Sequence, residues 1–502
     1  MAERDPDPSQ PDEHEDNDML DPEEAEEIVS DDGDAAMDSG EENEETEQTI
    51  ELINNSSAHF DQHKDSIFCI AQHPLRPEIV VTGGGDDIAY VWDTTPPEKP
   101  VLPGDWATDG QPRERRGNQV LARLEGQDES VNAVCFTLPK GEYVVTATLA
   151  GKMNVYSTQK NFKLAGSVKE VEEINWLAPC PNATYPNTVA FGANDGSVWV
   201  YTMGADGELS MVQTFFLHQG SCTAGAWTPD GKMLATVAED CSLYVYDVFG
   251  DAAAAGITDP NGGQAVVGLT GEDERFRVEG GLYSVAISPG GGIVAVGGAE
   301  GHIRVVGLPR LSMPANSTAG AKGAGAKSKA GGSKQAGGPK PPTSATPASA
   351  GQAGQILAAL QAQSDGVETL DFSQPPLTLL AAGSVDGSIA LFDAAHNFAV
   401  RRQIREAHEE HPVIKVEFVK TPLGTSNPSG HVLTTCGNDG VIRRWDVRGG
   451  TAAAANGALG EWRGHRGGGE GGGIFGFVQG GGGRRVVTAG DDGISLVFDI
   501  DA

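Results

Sequence analysis

Basic residues are scarce in this 502-residue chain. Its 35 Lys plus Arg stand against 71 Asp plus Glu, a formal net charge of -36 at pH 7. A direct nucleic-acid ligand calls for a basic face that neutralises phosphates. The one acid-free run of lysines, Lys322 to Lys340, lies in Gly-, Ala- and Ser-rich sequence, which argues against nucleic acid as a direct ligand. Long apolar runs are missing as well. No stretch reaches the roughly 18 to 20 residues of a membrane span. Met1 to Gln10 is polar and Pro-rich and lacks the apolar centre of a secretory signal, which predicts a cytoplasmic address with the nucleus as a second compartment. The six cysteines are scattered without a CxxC pair and read as reduced thiols packed like small hydrophobes. Catalytic signatures are absent too: there is no GxxxxGK[ST] loop, no HExxH helix and no GxSxG elbow. No cofactor, metal or enzymatic activity is expected.

Charge divides what is present. From Met1 to Glu51 there are 23 acids and a single base, Arg4, with almost no aromatic residues. Such a segment buries too little apolar area to offset its ordering entropy, so residues 1–48 are expected to form a disordered acidic tail. Ser312 to Gly354, built of Ala, Gly, Ser, Pro and Lys, reads as a flexible insertion.

An internal repeat predicts the fold of residues 49–502. A β-branched strand, small residues, an Asp-Gly-like corner and a second strand first occur as Thr82-Gly-Gly-Gly-Asp86-Asp-Ile-Ala-Tyr-Val-Trp92-Asp93. The corner returns at Ala150-Gly151, Asp195-Gly196, Asp240-Cys241, Glu300-Gly301, Asp386-Gly387, Asp439-Gly440 and Asp492-Gly493. The following strand ends six residues later each time, at Asp93, Ser157, Thr202, Asp247, Gly307, Asp393, Asp446 and Asp499. Spacings of 64, 45, 45, 60, 86, 53 and 53 residues are a period near 40 to 45 stretched by insertions. Histidines precede several units: His63, His218, His408 and His465. This is the WD-repeat pattern, and eight copies predict an all-β, eight-bladed β-propeller. In each blade a His, a strand Thr, the corner Asp and an aromatic can form a buried relay. His63, Thr82, Asp86 and Trp92 suit it in one blade, and His408, Thr435, Asp439 and Trp445 in another. The cluster His408-Glu409-Glu410-His411 offers metal ligands on paper, but its first His is wanted for the relay. The last unit stops too early for an outer strand, and the alternating Thr49-Ile50-Glu51-Leu52-Ile53 is expected to supply it and close the ring.

A closer resemblance then emerges. Four stretches are similar to one family: the acidic Asp-Pro-Glu-Glu leader; His63 to Cys69 with Val81 to Trp92; Glu170-Val-Glu-Glu-Ile-Asn-Trp176; and Ala193-Asn-Asp-Gly-Ser-Val-Trp199. The family is that of the angio-associated migratory cell protein of animals and its fungal counterpart, an eight-bladed ribosome-assembly chaperone. The likeness spans the propeller and thins in the fifth and last blades. It implies a monomeric chaperone that captures the basic N-terminal segment of a late-joining large-subunit ribosomal protein on an acidic top face.

Two kinds of loop share the top of a WD blade: the corner between second and third strands, and the approach to the first. Acids there are the candidate partner-binding residues: Asp65, Asp87, Asp128, Glu129, Glu170, Glu172, Glu173, Glu239, Glu300, Glu368 and Glu409. Like charges are expected to converge most strongly at Glu170 to Glu173. Corner acids such as Asp86 are set aside as structural. Two other functions stay open. A signalling or cytoskeletal scaffold fits the animal relative, and a cullin ubiquitin-ligase substrate receptor fits Trp445-Asp446-Val447-Arg448, which matches the WDxR docking pattern.

Overall fold

The structure, a computed structural model, describes residues 54–96, 117–205, 207–257, 265–311, 352–420, 430–449, 457–466 and 472–500. The acidic leader and almost all of the Ala/Gly/Lys insertion, for which disorder and flexibility are expected, lie outside them. Eight four-stranded antiparallel sheets form eight blades. In the first, Ile67–Gln72, Ile79–Gly84, Ala89–Asp93 and Val120–Leu124 run in that order from inside to outside. Successive inner strands are neighbours, and the eighth, Ile474–Gln479, returns to the first. The ring is closed.

The strand composition explains the layers. Second strands such as Ile79–Gly84, Met233–Ala238 and Val432–Gly437 are buried at every position, because each lies mid-sheet with a blade packed on either face. Outer strands such as Ile356–Gln361 alternate between half-buried and exposed, since only one face meets a neighbour. The apolar clusters accordingly straddle adjacent blades: Val145, Tyr143 and Ile174 share one with Phe191 and Tyr201.

Third strands end at the residues the repeat predicts in seven blades; the exception is Val198–Met203, one residue beyond Thr202. The corners explain why. Their second residue has positive φ in every blade: Asp87 at 58°, Cys241 at 59°, and glycine at 151, 196, 301, 387, 440 and 493. Glycine populates that region without a Cβ penalty.

The closing strand is not Thr49–Ile53, which lies outside the described residues. Ala58–Phe60 pairs with Ser495–Asp499, in the register Ala58↔Val497 and Phe60↔Ser495. Phe60 decides the choice. It is fully buried and stacks on Trp92 of the first blade, with ring centroids 4.7 Å apart and planes 4° from parallel. Alternating polar and apolar residues made 49–53 look like a strand, but nothing there offers an aromatic side chain for the seam between last and first blades.

Candidate protein-binding face

Four relays hold the upper ends of the blades. His63 bonds Asp86 Oδ1 and Thr82 Oγ1 at 3.0 Å each, and Trp92 donates to the same Thr82 hydroxyl at 3.3 Å. His408 repeats this with Asp439 at 2.9 Å and Thr435 at 2.8 Å, and Trp445 donates to Thr435 at 3.0 Å. His465 bonds Asp492 and Thr488, and His218 bonds Thr236 at 2.7 Å and Ser242 at 2.5 Å. With the Asp439 bonds in place, His408 is fully engaged in structure and offers no free ligand to a metal. Four blades lack the His, and in two of them glutamine serves instead: Gln127 bonds Thr146 and Tyr156, and Gln363 bonds Ser388. The sequence carried that signal, a Gln at the relay position ahead of each inner strand.

Around these fixed acids lie free ones. Among the described residues, the loops at the end bearing the second-to-third-strand corners hold 26 acids and six Lys or Arg. The loops at the opposite end hold five acids and eight Lys or Arg. The acidic end is the top face.

Ten of the eleven candidates are exposed, and Glu173 is half-buried. Some are partly engaged. Glu170 accepts from the Tyr201 hydroxyl at 3.0 Å, Asp128 accepts from Thr148 at 3.0 Å and pairs with Lys169 at 3.5 Å, and Asp65 and Glu129 accept from the amides that follow them. Glu172, Glu239, Glu300 and Glu409 make no ion pair or side-chain hydrogen bond among the described residues. Glu368 is not on a rim loop; it is the second residue of the inner strand Val367–Phe372, where desolvation and then Asp365 raise its carboxyl pKa.

Like charges also meet at a second point of the top face. The carboxyl of Asp87 is held above the ordinary range by partial desolvation and then by Glu129, Asp86, Asp128 and Asp65. That group joins the first and second blades, while in the Glu170 to Glu173 approach to the third blade Glu170 is turned to Tyr201. A groove of about 420 Å³ lies further round the top face, lined by Glu239, Asp240 and Glu279 with Arg277 among them.

The WDxR match sits at the other end. Trp445 is buried in the seventh blade, and Arg448 folds back on Asp446 with a 2.7 Å ion pair. Its guanidinium is spent on its own strand.

Eight such blades, six of them with relays at their upper ends, define a WD-repeat β-propeller. The profile of the WD domain, G-beta repeat, matches residues 54–93, 209–247 and 405–446. The crystal structure of Sqt1 from Chaetomium thermophilum is 48% identical, with a TM-score of 0.73, over 89% of this chain and 98% of that one. This chain belongs to the Sqt1 family. The same fungal protein has a structure bound to the N-terminus of the ribosomal protein L10, 46% identical with a TM-score of 0.72. Ribosome assembly protein SQT1 of Saccharomyces cerevisiae is 36% identical over 229 residues, a match spanning 44% of this chain and 47% of that protein. The human angio-associated migratory cell protein is 25% identical over 83% of this chain and 75% of its own length.

Proposed function

We propose that this protein is a dedicated chaperone in large ribosomal subunit assembly. Its acidic top face captures the basic N-terminal segment of the L10-type ribosomal protein and keeps it soluble in the cytoplasm until it joins the pre-ribosome. The observation that carries the reading is the charge asymmetry of the two ends, 26 acids to six bases against five to eight, in a chain 46% identical to a protein crystallised with that segment. Clustered carboxylates destabilise the free surface and are relieved by an Arg- or Lys-rich ligand. The work is binding rather than catalysis. Asp65, Asp87, Asp128, Glu129, Glu170, Glu172, Glu173, Glu239, Glu300, Glu368 and Glu409 are the proposed contacts.

Calorimetric titration with the N-terminal segment of L10 tests this. A one-to-one complex that weakens as salt rises is expected, because contacts on an open rim are screened. No complex at low salt overturns the chaperone reading. Pull-down from lysate separates the other functions: a ligase adaptor would mark a substrate receptor, and a mixed set of partners a scaffold.

A further inference from the structure

Every inner strand carries the same irregularity. The pairing of first and second strands slips after the first inner residue in all eight blades, between Ile67 and Cys69, Val131 and Ala133, Ile174 and Trp176, and so on round the ring. The skipped residue is a β-bulge, which re-aims a side chain out of the regular pleat. Eight bulged residues therefore ring the mouth of the central channel just below the top face.

The ring has two unlike halves. On blades two to four the bulged residues are Asn132, Asn175 and Thr223, and each donates to the backbone carbonyl that opens the next inner strand: Ile174 at 2.5 Å, Cys222 at 3.0 Å and Leu282 at 2.7 Å. On those blades the donors of the bulged side chains are taken up by the wall itself. On the remaining blades the positions hold Tyr283, Glu368, Ile414, Phe475 and Phe68. Phe475 and Phe68 touch each other across the closing seam, ring centroids 5.8 Å apart and planes 46° from parallel. Both are half-buried, and neither joins an apolar cluster of the blades. Beside them is an acid. A Cβ built on Gly85 would stand 3.1 Å from Asp65 Cγ and 3.3 Å from Phe68 Cε2, so the carboxylate and the Phe68 ring edge close on the same glycine and lie side by side. Glu368 borders the far end of the arc, where a Cβ on Gly366 would stand 3.4 Å from its Oε1 and 3.6 Å from Tyr283 Cε2.

We propose that the Phe475 and Phe68 rings with Asp65 form an arginine-selective subsite, in which a guanidinium of the captured segment lies on the aromatic faces and donates to the carboxylate. The occupant follows from the chemistry. Acid beside aromatic favours a cation, and a planar, weakly hydrated guanidinium satisfies both at once, whereas a compact ammonium stays hydrated. The subsite rests on the capture of a basic segment proposed above and adds selection between the two basic side chains, which an acidic rim alone does not make.

The test is competition. Labelled L10 N-terminal segment bound to the full chain is displaced with hexa-arginine or hexalysine. Hexa-arginine is expected to compete on the order of tenfold more strongly. The Phe68→Ala/Phe475→Ala variant is expected to bring the ratio near one while leaving the salt dependence of binding in place, since the rim acids remain. Phe475→Leu, which keeps apolar bulk and removes one ring face, lowers the ratio without disturbing the channel wall. A ratio near one in the parent, or an unchanged ratio in a folded variant, overturns the subsite. Failure of the labelled segment to bind the parent at all overturns the chaperone reading instead, so the two failures are distinct.

Discussion

The two ends of the propeller are made by the same eight sheets, yet they have been put to different use. The top loops are acidic. The lower connections hold five acids and eight Lys or Arg among the described residues and vary widely in length, from the short step between Ser157 and Lys163 to the long one between Gly307 and Ile356. Insertions are tolerated where a loop only has to reconnect two strands. At the top, most loops return a His, Gln or Asp to a relay, hold a carboxylate on the rim, or do both. The comparison teaches that the relay and the charge share one scaffold, the first rigid and bonded, the second exposed.

Breaking the ring has the largest expected effect, because both ends exist only while it is closed. Phe60→Ala removes a fully buried ring stacked on Trp92 and should cost about 3 to 5 kcal/mol, read from urea unfolding. Deleting residues 1–53 should leave the transition where it is. Equal loss in the two variants would contradict closure by Ala58–Phe60.

Relay acids and rim acids should separate next. Asp439 bonds His408 and pairs with Arg443, so Asp439→Ala leaves buried partners uncompensated and should cost about 3 kcal/mol or more. Glu409→Gln, a neighbouring exposed acid with no partner among the described residues, should fall within about 0.5 kcal/mol of the parent. Similar losses would merge the two groups that the top face keeps apart.

The ends of the channel should answer pH in opposite directions. Burial pushes the pKa of His218 down to about 4. A His held neutral in the fold stabilises above its unfolded value of about 6.5, and that contribution is lost as pH falls through 4. It is on the order of 3 kcal/mol. His218→Gln, copying Gln127 and Gln363, should flatten the acid limb of the melting profile. Asp371, near the lower end of its inner strand, is pushed up to about 6 by burial and by Glu417 against the opposing charge of Lys420. Its contribution is present below about 3.9 and lost as pH rises through 6, so Asp371→Asn should gain on the parent at pH 7.5 relative to pH 4.5. Melting temperatures of both variants at the two pH values check the signs.

The smallest effect is the most specific to the top face. Asp87 stands at φ 58° where six other blades have glycine, among carboxylates that raise its pKa. Asp87→Gly should stabilise the fold by about 0.5 to 1 kcal/mol and weaken capture of the L10 segment. A variant that loses stability would mean that Asp87 is a structural corner like Asp86.

Much of this was legible in the sequence for a physical reason. Corner glycines, relay histidines and strand-end acids are local demands of a single blade, so they repeat and fix eight units, the relay of His63 and His408, and seven strand ends. The closing strand escaped because strand alternation is shared by 49–53 and 58–60, and only the seam requires Phe60. The meeting of Asp87 with Glu129, Asp128 and Asp65 escaped because it joins loops of two blades that are far apart in the chain. The bulge ring left no mark in the alternation either; the skipped residue is visible only in the pairing. Glu368 was recognised as an acid of the top, but not as a member of that ring.

Paired charge reversals, titrated with the L10 N-terminal segment by calorimetry, test the central claim most directly. Asp87→Lys with Glu129→Lys changes the top face where carboxylates converge; Glu78→Lys with Glu208→Lys makes the same change of net charge at the lower end. The top variant should lose several kcal/mol of affinity, on the order of 1.5 to 3 for each charge-assisted hydrogen bond removed, and the lower variant should bind like the parent. Equal weakening in the two variants would contradict capture on the top face and leave only the net charge of the chain at work.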